Sequence, residues 1–90
     1  DILFVESANE YIKINMSGNE VIQSLTRLKD FELLLPVNSF LRVHRSFIIN
    51  LSKIKAIEKN GIQLENGLLV PIGELYKASF QEYLKTIIKP

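Results

Sequence analysis

The chain has no cysteine, which removes a disulfide framework, a thiolate nucleophile and every zinc site built on sulfur. Such a composition fits a reducing compartment, and the expected location is the cytoplasm. Histidine is nearly as scarce. His44 is the single imidazole among 90 residues, so no two ring nitrogens stand at metal-ligand spacing. No serine sits in a nucleophile elbow. The four glycines fall in turn-like stretches or at Gly73, which leaves no loop to cradle a phosphate. Glu58 and Glu65 flank the Asn60-Gly61 turn signal and are candidates to approach each other across it, but paired carboxylates on a solvated hairpin are far more often surface charge than an acid/base pair. No metal, no cofactor and no enzymatic reaction are therefore expected. Long apolar runs are missing too: none approaches the roughly 18 residues of a membrane helix, and Asp1 opens no basic-then-apolar leader. The lack of an initiator methionine points to a fragment of a longer protein. With 47% apolar residues in 90, one compact domain over residues 1–90 with a single modest core is expected.

A basic excess is also lacking, since the net charge is only +1. Its distribution says more than its sum. Residues 1–41 hold six acids against three bases, residues 42–59 hold five bases against Glu58 alone, and residues 60–90 hold three of each. The one basic block begins inside the stretch FLRVHRSFIIN, residues 40–50.

Periodicity supplies the elements. Ile2–Val5 is a short apolar run that reads as a buried strand. From Tyr11 to Met16 the period is two, with Ile12, Ile14 and Met16 on one face and Tyr11, Lys13 and Asn15 on the other. Ser17-Gly18-Asn19 turns the chain into a return strand at Glu20–Gln23. Ser24 is a candidate N-cap for a helix of about three turns carrying Leu25, Leu28, Phe31 and Leu35 and stopped by Pro36. Phe40–His44 and Phe47–Leu51 read as strands broken at Arg45-Ser46. Ile54–Lys59, the Asn60-Gly61 turn signal, Ile62–Glu65, the Asn66-Gly67 signal and Leu68–Ile72 make further hairpins. Pro71 places the last strand at an edge or near its end. From Glu74 the period becomes helical, with Tyr76, Phe80, Leu84 and Ile87 on the apolar stripe. About seven short strands and two helices make a mainly β protein, the terminal helix packing on the sheet.

The stretch FLRVHRSFIIN, taken with DILFVESANEYIKI, LKDFELLLP, NLSKIKAIE and NGLLVPI, resembles the LytTR domain, a DNA-binding output module found mainly at the C-terminus of bacterial response regulators. The likeness runs from Asp1 to about Leu84, and the spacing of Phe40, Arg42, His44, Arg45, Ser46 and Asn50 is its specific part. It implies an elongated stack of antiparallel β-sheets. It also implies loops, rather than a recognition helix, that enter two successive major grooves and the minor groove between them, commonly at direct repeats in promoters. Three loops carry over by motif: Asn9-Glu10-Tyr11, Arg45-Ser46 and Gly73-Glu74. The missing N-terminal part implied by the family is a receiver domain, and the active form a dimer on double-stranded DNA.

Residue chemistry sorts these positions. Arg45 can fork two donors toward guanine O6 and N7 or enter a narrow minor groove, and Ser46 can donate to a phosphate. Lys13 and Lys77 are candidate phosphate partners, Asn9 belongs to the first contact loop, and Tyr11 either stacks near a sugar or caps the sheet. His44 reads as structural, its ring satisfied by a backbone carbonyl or a carboxylate. Arg42 either contacts DNA or lies over the core edge with its head paired to an acid. Asn50 is expected to tie a turn together through its amide. The family often has Ser-Arg where this chain has Gly73-Glu74; Glu74 cannot neutralise phosphate but can accept from cytosine N4. The alternative from another class is a β-rich protein-interaction or ligand-sensing module that keeps the fold without binding DNA.

Overall fold

The computed structural model describes residues 1–87. Its strands are β1 (Ile2–Ala8), β2 (Tyr11–Met16), β3 (Val21–Ser24), β4 (Phe40–His44), β5 (Phe47–Asn50), β6 (Ile54–Glu58), β7 (Gly61–Leu64) and β8 (Leu69–Val70). Two α-helices, α1 (Leu28–Glu32) and α2 (Lys77–Ile87), and two 3-10 turns, η1 (Leu51–Lys53) and η2 (Glu74–Tyr76), complete the described chain. The strands form an antiparallel five-stranded sheet in the order β3-β2-β1-β5-β4 and an antiparallel three-stranded sheet in the order β6-β7-β8. The molecule measures 42 × 25 × 23 Å, the elongated form implied by the family resemblance.

The five-stranded sheet is buried on both faces, and alternation along β2 and β5 assigns side chains to each. One face carries Val5, Ile12, Ile14 and Ile48 and is covered by Leu28 and Phe31 of α1. The other carries Leu3, Phe4, Val43 and Ile49 and packs against Ile62, Leu64 and Val70 of the second sheet and Phe80 of α2. Two bulges adjust the alternation. The register shifts between Ile2 and Phe4 on β1 and between Arg42 and His44 on β4, so that adjacent Leu3 and Phe4 serve the same core.

Several expectations change here. The helix anticipated from a Ser24 cap is the five-residue α1, and its N-cap is Arg27 with no side-chain bond. Ser24 ends β3, paired with Ile12, and its hydroxyl lies 3.0 Å from that of Thr26. Sheet pairing therefore claims the residue before a helix can, and Leu25 is left 72% exposed rather than packed. At the β6–β7 hairpin the turn is Lys59-Asn60, because Gly61 already pairs with Glu58. Gly61 has φ +155°, and a Cβ there would collide with the carbonyl oxygen of Val70 on the neighbouring strand. On α2 the apolar stripe is Phe80, Tyr83 and Leu84, while Ile87 is exposed. Pro71 does follow the edge strand β8, which ends at Val70.

Asn50 is the buried polar residue of the core. Its Nδ2 donates to Ile2 O at 2.7 Å, and its Oδ1 accepts from the backbone N–H and hydroxyl of Ser52. The amide thus ties η1 to the start of β1, as the sequence suggested.

Candidate nucleic-acid interface

Arg45 and Ser46 form a two-residue connection between β4 and β5, flanked by the pair His44↔Phe47. Tight hairpins of this length normally use residues at positive φ, because those turns follow the twist of the strands. Neither Arg45 nor Ser46 has positive φ. The turn is instead held by four hydrogen bonds from outside its own backbone pairing. The Arg42 Nε donates to His44 O at 3.3 Å and its Nη2 to Arg45 O at 2.6 Å. The Ser46 N–H donates to His44 Nδ1 at 3.0 Å, and the Ser7 N–H donates to Ser46 O at 2.9 Å.

These bonds separate two arginines that composition alone groups together. Arg42 faces inward along the sheet edge, with Nη1 3.9 Å from Glu32 Oε1 and its guanidinium carbon 5.8 Å from the centre of the Tyr76 ring. It braces the turn. Arg45 is exposed, and among the described residues no carboxylate lies within ion-pairing distance of it. His44 is structural as expected, but its ring partner is a backbone N–H and the imidazole acts as acceptor rather than as donor to a carbonyl. Its ring also meets Phe47 edge-on, 5.4 Å between centroids.

The other two loops arrive at the same end of the sheet. β1 and β2 are joined by Asn9-Glu10, both exposed, with Asn9 at φ +59°, a conformation asparagine tolerates better than most residues. Since Ser7, two residues earlier, bonds to Ser46, this loop and the Arg45 turn are neighbours. η2 packs on β4, and the Gly73 N–H donates to Val43 O at 2.8 Å. Gly73 lies so close that a Cβ on it would stand 3.6 Å from the Cα of His44 and 3.2 Å from the Tyr76 ring. Glu74 and Lys77 pair with each other at 2.8 Å, both in solvent. Lys13 lies on the opposite face of β2 from Ile12, across from Glu6 on β1, and is set apart from the groove described next.

An open groove of about 770 Å³ connects the first two loops. Ser7, Ile12 and Leu28 contribute to its floor, and Asn9, Tyr11 and Arg45 to its rim. Arg27, just before α1, and Lys29, in its first turn, line it as well, so with Arg42 and Arg45 four cations face Glu10 and Asp30 there. The groove therefore has the charge balance that an anionic backbone needs and that the whole chain lacks.

The profile of the LytTr DNA-binding domain matches residues 1–85. The chain belongs to that family. Among its relatives are a sensory transduction protein LytT of Enterococcus faecalis, 34% identical over 93% of this chain, and a transcriptional regulatory protein BtsR of Salmonella typhi, 35% identical over 91%. The chain spans about a third of the length of these curated relatives, 36% and 35%. A solved LytTr DNA-binding domain from a Bacillus cereus protein described as a methyl-accepting/DNA response regulator superposes with a TM-score of 0.85 at 31% identity. That match covers 93% of this chain and 81% of the other. The mainly β fold and the DNA-binding class are thus those of a LytTr domain, and nothing in the geometry favours an interaction module that has abandoned DNA.

Arg27 and Lys29 were missed by motif reading. They lie in an acid-rich segment far along the chain from Arg45, and only the return of residues 25–39 across the sheet, from β3 at one edge to β4 at the other, places them beside it. Their one sequence signal is the pair of cations flanking the apolar Leu28.

Proposed function

We propose that this LytTr domain reads duplex DNA sequence-specifically by inserting loops, with Arg45 in a groove and cations of the adjoining groove on the phosphates. The observation that carries this reading is an unpaired guanidinium at the tip of a turn braced by Arg42, His44 and Ser7. A preorganised donor loses little conformational freedom on binding, which leaves more of its hydrogen bonding for affinity. Asn9, Tyr11 and the Ser46 hydroxyl stand beside it as secondary contacts. Lys77 reaches phosphate by leaving Glu74, an exchange that sacrifices a surface ion pair of small net worth. Lys13 belongs to the outer flank of the same end.

The domain acts, on this reading, as the C-terminal output part of a bacterial cytoplasmic response regulator, residues 1–90 forming one unit. Relatives roughly three times its length support a further domain, and a receiver-driven dimer on direct repeats would raise affinity through effective concentration. That mode suits a domain of net charge +1, whose own electrostatic attraction for DNA is weak.

The test is selection of duplexes from genomic fragments, followed by shift assays with the selected and a scrambled sequence. Arg45→Ala is expected to lose about 1–3 kcal/mol on the selected duplex and much less on the scrambled one. Equal losses on both would remove the base-reading role, and failure of every duplex to shift would remove DNA binding itself.

A further inference from the structure

Leu75 is 92% exposed, the highest value among the exposed large apolar side chains. Single surface hydrophobes are ordinary, so its position matters more than its exposure. Leu75 is the middle residue of η2, the turn that abuts β4 beside His44. Both ends of this turn are fixed: Tyr76 N–H bonds Gly73 O at 2.9 Å, and the Lys77 N–H bonds Glu74 O. Gly73 is held to Val43 on the other side, and a Cβ added to it would stand only 3.2 Å from the Tyr76 ring. The turn thus projects a hydrocarbon side chain from a rigid base at the end of the molecule that carries Arg45.

The charges around it are already matched. Lys77 and Glu74, its flanking polar residues, are bonded to each other at 2.8 Å. Leucine offers neither donor nor acceptor, so hydrogen-bond readout is closed to it. In a major groove the feature that an apolar group recognises is the C5-methyl of thymine. We propose that Leu75 reads a thymine methyl, so that this junction selects its base by hydrocarbon contact rather than by hydrogen bonding. The inference rests on the DNA-binding reading above and assigns it a second, chemically different specificity element.

The experiment uses a duplex selected by the 90-residue chain, made with thymine or with deoxyuridine at each thymine position in turn. Deoxyuridine removes the methyl and leaves every hydrogen-bonding edge unchanged. The wild type is expected to lose about fourfold in affinity at one position, the worth of one buried methyl group. Leu75→Ala is expected to bind the thymine duplex about fourfold or more weakly and to be indifferent to deoxyuridine at that position, with an unchanged melting temperature. Wild-type indifference to every replacement, or a Leu75→Ala variant that binds like wild type, overturns the assignment. So does a variant that weakens binding while the wild type ignores the methyl, which would make Leu75 a minor-groove wedge. Arg45→Ala, run alongside, separates the two failures: binding that remains sensitive to Arg45 keeps the DNA reading and discards only Leu75. A chain that shifts no duplex overturns both.

Discussion

The Nδ1 of His44 accepts the backbone N–H of Ser46 at 3.0 Å, two residues along. The same relationship recurs where Asn50 Oδ1 accepts from Ser52 N–H and where Asn66 Oδ1 accepts from Leu68 N–H. An imidazole here does the work of an asparagine in a side-chain-closed turn. The only histidine of the chain is thereby committed to shaping the loop that carries Arg45.

A pair of substitutions isolates that role. His44→Phe keeps a ring against Phe47 and deletes the acceptor, leaving the Ser46 N–H unmatched at a cost of about 1 kcal/mol. DNA affinity should fall several-fold. His44→Asn restores an acceptor at the same spacing and should recover most of that affinity. Urea unfolding and shift titrations of both variants check the two effects separately.

Arg42→Lys tests positioning against charge. Lysine keeps the positive charge but lacks the planar fork that bonds the carbonyls of His44 and Arg45 together. Binding should weaken about fivefold, roughly 1 kcal/mol, as the turn loosens. The slope of log affinity against log salt should stay the same, because no phosphate contact is lost.

Glu74→Gln should act in the opposite direction. Without its carboxylate partner, Lys77 is released to the phosphates, and affinity should rise a few-fold on all duplexes alike at low salt. The salt slope should steepen by about one unit or less, because no carboxylate is left to take up a cation when Lys77 turns to phosphate. An unchanged slope measured by titration at several salt concentrations would leave Lys77 outside the interface.

Gly61→Ala and Gly67→Ala should differ in cost. Both positions have positive φ, at +155° and +89°. An added methyl at Gly61 also strikes the Val70 carbonyl oxygen, whereas nothing lies within 4 Å at Gly67. Urea denaturation should show a loss of about 1 kcal/mol for Gly67→Ala, from backbone strain, and at least about 2 kcal/mol for Gly61→Ala.

Much of the architecture was legible because it is written in local alternation. Tyr11–Met16 is observed as the strand that its period of two announced, and the break at Arg45-Ser46 falls where it was placed. The errors arose where a distant partner decided. Ser24 has the chemistry of a helix cap but is paired with Ile12, and Gly61 has the chemistry of a turn but is taken into β7 under the Val70 carbonyl. The bulges at Leu3 and Val43 leave no mark in the alternation of β-forming residues around them. At the candidate site, Arg45 and the three loops could be reached from sequence by family likeness. The division of labour between Arg42 and Arg45, the Glu74–Lys77 pair and the contribution of Arg27 and Lys29 depend on which chain segments meet, and the folded structure alone supplies that.

The two margins of the five-stranded sheet are unequal. β4 is closed off by Gly73 and η2, whereas β3 has no strand beyond it among the described residues. At roughly 4.8 Å per strand these margins stand about 19 Å apart. An extended segment added on the β3 flank would lengthen the sheet away from Arg45 and leave the His44–Ser46 brace undisturbed.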